Sequence, residues 1–88
     1  MNIELFLWLP TLAILVYYSL FRASEGWCFL GYAYMESGDL LSASRAFAAA
    51  TAAAPAAAAA YLGAGQTQAL LHNWPAAERL YSTAVRCR

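Results

Sequence analysis

Few side chains in this 88-residue sequence could carry chemistry. The carboxylates are Glu4, Glu25, Glu36, Asp39 and Glu78, and no pair of them recurs at helical spacing as a general acid and base would require. Glu36-Ser37-Gly38-Asp39 reads as a helix end followed by a turn. His72, the sole histidine, falls in His72-Asn73-Trp74-Pro75, where a solvated or capping role outweighs a catalytic one. Cys28 and Cys87 are far apart and neither belongs to a CxxC, so Cys28 reads as a small apolar residue and Cys87 as a thiol on a frayed end. Gly63-Ala64-Gly65-Gln66 lacks the lysine of a phosphate loop and lies inside a helical pattern. The reading is a non-enzyme with no catalytic residue, no metal and no cofactor.

Composition narrows the class further. The chain is 62% hydrophobic and 11% charged with zero net charge, which leaves no electrostatic footprint for nucleic acid. From Ala46 to Ala60 it is almost all alanine, broken by Phe47, Thr51 and Pro55. Alanine is the best helix former, but each one buries little area. Most burial should therefore come from the aromatics and leucines, in a domain that is helical by propensity and weakly held by packing.

The elements emerge from a 34-residue pattern. Trp27-x-x-Leu30-Gly31-x-x-Tyr34 is followed by Ala43, Phe47, Ala50 and Pro55. One period later stand Tyr61, Ala64, Gly65, Gln68, Ala77, Tyr81 and Ala84. These types at these offsets resemble the tetratricopeptide repeat. The resemblance covers residues 24 to 88 and implies two antiparallel helical hairpins, 24–57 and 58–88, each with helices A and B. Gly31 and Gly65 then mark close backbone approach, the B-helix alanines supply matching small surfaces, and Trp27, Tyr34, Phe47, Tyr61 and Tyr81 fill the space between helices. Gly38-Asp39 forms the first A-to-B turn and Pro55 closes the first repeat. The second turn differs, with Pro75 suited to the first turn of its helix.

The N-terminus has a separate character. No charge interrupts Leu5 to Phe21, a stretch near the roughly 17-residue lower limit for crossing a bilayer. The reading adopted is a transmembrane anchor over 1–22, carried by Leu5, Phe6, Leu9, Leu12, Ile14, Leu15, Val16 and Leu20, followed by the repeat domain 23–88. The expected fold class is thus all-α, an N-terminal transmembrane helix followed by a short α-solenoid. The basic flank at Arg22 would keep the repeats on the cytoplasmic, matrix or stromal side. A cleaved signal peptide fits poorly, because Glu4 stands where a basic residue should. The competing reading is a buried helix from a degenerate earlier repeat, whose key positions would be Leu9, Ala13, Val16 and Phe21.

The resemblance also implies where a partner would bind. Its concave groove maps onto Glu25, Cys28, Tyr32 and Met35, then Ala59, Leu62, Gln66 and Ala69. No lysine, arginine or asparagine lies there to clamp an acidic tail, so the groove suits an apolar helix or extended segment. The expected function is a scaffold, accessory or assembly subunit of a membrane complex, touching lipid through its first helix and capped by partner chains. The alternative is a soluble secretion or assembly chaperone whose first helix is buried against a client or co-chaperone.

Overall fold

The computed structural model describes residues 3–87, with side chains from Trp8 onward. It is all-helical: α1 (Ile3–Ser37), α2 (Leu40–Ala53), α3 (Ala58–Leu70) and α4 (Trp74–Arg86). α1 packs on α2, α3 on α4, and α2 and α1 both touch α3. Two antiparallel hairpins therefore lie side by side, and the first half of α1 projects from them as an arm.

The hairpins repeat one another at 34 residues in backbone detail. At the end of α1, the Asp39 amide donates to the Tyr34 carbonyl (2.9 Å) and the Gly38 amide to that of Met35 (3.1 Å). At the end of α3, Asn73 donates to Gln68 (2.9 Å) and His72 to Ala69 (3.0 Å). Each is a Schellman stop, with its C′ residue in the left-handed region: Gly38 at φ 86° and His72 at φ 60°. Asp39 and Asn73 then become the N-caps of α2 and α4. The second turn, expected to differ, has the same backbone hydrogen bonds as the first. What differs is chemistry: Asp39 Oδ1 accepts from the Ser42 amide (3.2 Å), whereas Asn73 Nδ2 donates to Gln68 Oε1 (3.2 Å) and Pro75 stands in the first turn of α4.

This equivalence makes a paired prediction. A β-carbon at a left-handed C′ position costs about 1 kcal/mol. His72→Gly should therefore raise stability, and Gly38→Ala should lower it, each by about that amount. Urea unfolding followed by circular dichroism reads both; equal signs for the two variants would show that the turns are not equivalent.

The core differs from the expectation that aromatics and leucines would supply it. Among the described residues its buried apolar members are Ala43, Ala46, Phe47, Ala50, Ala60, Ala64, Ala77 and Ala84, so Phe47 is the one large member. Trp27 and Leu30 are exposed, and Tyr34, Tyr61 and Tyr81 are half-buried. The reason is proximity: helices faced with alanine and glycine approach closely and leave no volume for larger side chains. A β-carbon on Gly31 would stand 2.7 Å from Phe47 Cζ, and one on Gly63 would also collide with that ring. Phe47 is therefore clamped between α1 and α3. One period on, a β-carbon on Gly65 would lie 2.9 Å from Tyr81 Cε1, the same arrangement inside the second hairpin.

Two buried hydroxyls complete the packing. Ser24 Oγ donates to the Ala50 carbonyl (3.0 Å), joining α1 to α2, and Thr67 Oγ1 donates to Gly63 within α3 (2.9 Å). A half-buried bond from Gln68 Nε2 to Ser44 Oγ (3.2 Å) ties α3 to α2.

The transmembrane assignment for residues 1–22 is corrected. Among the described residues no helix is long and apolar enough to cross a membrane. Between Trp8 and Phe21 the apolar residues are diluted by Pro10, Thr11, Tyr17, Tyr18 and Ser19. The uncharged stretch from Leu5 to Phe21 is 17 residues, about 26 Å of helix, against roughly 30 Å of hydrocarbon. α1 then continues unbroken through Arg22, Ser24 and Glu25 into the face that packs on α2. Of the residues assigned to the anchor, Leu9, Leu12, Ile14, Leu15, Val16 and Leu20 are exposed on the arm, and the side chains of Leu5 and Phe6 lie outside the described residues.

Candidate functional site

The helical periodicity of α1 places Glu25, Cys28 and Tyr32 along one side, facing the start of α3. There they border a groove of about 330 Å³, completed by Phe21, Ser24, Phe29, Ala57, Ala59 and Ala60. Its base is set by the core. Ser24 turns its hydroxyl inward to Ala50, and Tyr32 lays its ring edge-on to Phe47, with centroids 5.0 Å apart at 80°. Phe29, 77% exposed, forms one wall.

The remaining groove positions implied by the repeat resemblance separate. Met35 turns inward and packs against the cluster of Ala43, Phe47 and Ala64. Leu62 borders a second hollow of about 340 Å³ with Ala58, Ala59, Tyr81, Ala84 and Val85, on the far side of α3. Gln66 and Ala69 are half-buried on α3 and line neither. The groove thus gains Phe21, Ser24, Phe29, Ala57 and Ala60, which were not among the expected groove positions. The signal for the two rings was present, since Phe21 and Phe29 stand four residues before and after Glu25.

Electrostatics in the groove favour neutral groups. Burial pushes the Cys28 thiol above its ordinary range, a nearby bond with Ser24 partly opposes this, and Glu25 adds to the rise. Burial also raises the Tyr32 phenol, helped by Cys28 and Tyr81. A raised thiol is a poor nucleophile at neutral pH. His72 lies at the α3–α4 turn against Trp74, with ring centroids 6.3 Å apart, and Cys87 Sγ rests 3.9 Å from the Pro55 carbonyl. Among the described residues no group of three His, Cys, Asp or Glu side chains could hold a metal.

Iodoacetamide alkylation of Cys28 in a Cys87→Ser background should therefore rise at higher pH in the folded chain than in urea. The linkage has the same sign: the folded state holds the proton more tightly, so stability falls as pH climbs through the ordinary thiol range. Coincident folded and unfolded profiles would remove the burial argument.

No protein-family model matches the chain, and no curated protein sequence matches it.

Proposed function

We propose that this protein is a non-catalytic scaffold or assembly subunit of the tetratricopeptide type, which holds an apolar helix or extended segment of a partner protein in the α1–α3 groove. One observation carries the reading: the groove is walled by Phe21, Cys28, Phe29, Tyr32 and alanines, with Glu25 as its single charge. Such a surface gains free energy by shedding water from apolar side chains and offers an acidic tail no cation. The 34-residue backbone repetition supports the family resemblance, because each hairpin buries its small-residue face against its neighbour.

The test is protection of Cys28 from maleimide by peptides. An apolar helical peptide should slow labelling, an acidic peptide should not, and Phe29→Asp should abolish the effect. Protection by the acidic peptide, or by none, would sink the reading.

A second reading is an assembly or secretion chaperone whose first helix is covered by a client. It draws on the exposed arm, where Trp8, Leu9, Ile14 and Tyr17 are each about two-thirds exposed.

A further inference from the structure

The two hairpins recur at 34 residues, so what covers the first shows what the second would accept. α2 presents Ala43, Ser44 and Phe47 to α3. In return α3 sets Gly63 against the Phe47 ring, adds Ala64 to the cluster of Ala43 and Phe47, and donates from Gln68 Nε2 to Ser44 Oγ (3.2 Å). One period on, the same three places of α4 hold Ala77, Glu78 and Tyr81.

Nothing among the described residues fills that face of α4. Ala77, Glu78 and Tyr81 line a hollow of about 420 Å³ with Trp74, Ser82 and Val85. The neighbouring hollow of about 340 Å³ shares Tyr81 and Val85 and runs on to Ala58 and Leu62 of α3. The inner side of Tyr81 rests on Gly65, as Phe47 rests on Gly31. Its outer side has no counterpart of Gly63. Phe47 is fully buried in consequence of its cover, whereas Trp74 is 62% and Val85 64% exposed.

We infer that this outer face of the second hairpin holds a helix of a partner protein, laid across α4 as α3 lies across α2. The contacts one period earlier define that helix chemically. A glycine stands against Tyr81, because a β-carbon at Gly63 would already collide with the Phe47 ring. Five residues further on, where α3 has Gln68, an arginine or lysine pairs with Glu78, the acid that replaces Ser44. A second copy of this chain does not meet the pattern. No glycine in the sequence has a basic residue five positions on, and the α1 counterpart of Gly63 is Phe29. Head-to-tail stacking of identical chains is thereby blocked, and the face is left to a foreign helix. This inference does not depend on a segment binding in the α1–α3 groove.

The experiment uses the full chain and a synthetic peptide of residues 57–71 with Gln68→Arg, held helical by a staple joining positions 62 and 66. Calorimetry should find one peptide bound per chain at micromolar concentration, and NMR should place it at the Trp74 indole. Gly63→Leu in the peptide should weaken binding about tenfold, and so should Val85→Asp in the protein, with unchanged helical circular dichroism. Glu78→Arg should weaken it about fivefold, and a peptide with Gln68→Glu should restore it. Absence of binding, or equal binding of the glycine and leucine peptides, would overturn the proposal. Spectral changes at Tyr32 or along the arm, with Trp74 unmoved, would do so too. Self-association of the chain that Val85→Asp abolishes would make the occupant a second copy and overturn it equally. Loss of Cys28 protection by the apolar peptide, with binding at Trp74 intact, would count against the groove reading alone.

Discussion

Phe47→Ala is expected to unfold the protein or bring it to the edge of unfolding at 25 °C. Phe47 is the single large apolar side chain fully buried among the described residues, in a core whose other buried apolar members are alanines. Its ring touches all three helices that meet there, through Gly31 of α1, Ala43 of its own α2 and Gly63 of α3. Truncating a buried phenylalanine costs about 3–5 kcal/mol, and small domains have about 5–15 kcal/mol in total. The cavity would open between two glycines, which have no side chains to relax into it. Urea unfolding by circular dichroism measures the loss. A change below about 1 kcal/mol would mean that the hairpins are held together elsewhere.

Filling that space from the other side should be nearly as damaging. Gly63→Leu drives a side chain into the Phe47 ring, which Gly31 blocks from behind, and overpacking of this kind costs about 3 kcal/mol. Gly26 is the control. It lies in α1 with nothing within 4 Å of the position a β-carbon would take. Gly26→Ala should therefore stabilise by up to about 1 kcal/mol through helix propensity alone. Opposite signs at two helical glycines would show that contact, not propensity, decides. Tolerance of leucine at residue 63 would remove the clamp.

Much of this was legible in the sequence, and the pieces that were not share a cause. The glycine at 31 and the alanines at 43, 50, 77 and 84 were readable as contact positions because small residues recurred at one period. Gly63 was passed over because it matches no position of that pattern one period earlier, where Phe29 stands. Its role arises from α2 sitting between two A helices, a contact across hairpins that a one-dimensional repeat does not encode. Trp27 and Leu30 were expected inside because of their types, yet the tight alanine packing excludes them. The groove was half legible. Its α1 residues follow from helical spacing, whereas Ala57 and Ala60 enter only through the angle at which α3 meets α1.

By itself the sequence determined that the chain forms helices, where the turns at 38–39 and 72–73 fall, and that two hairpins recur at 34 residues, but not that the first helix runs unbroken past residue 22. Those properties are local: alanine-rich propensity, a left-handed stop, an N-cap and a proline act within a few residues. Only the tertiary structure decided which apolar residues are core and which are surface. With 62% of the chain apolar, hydrophobicity no longer distinguishes inside from outside. The selection falls to shape, by which Phe47 fits between two glycines while the larger side chains of the arm remain outside.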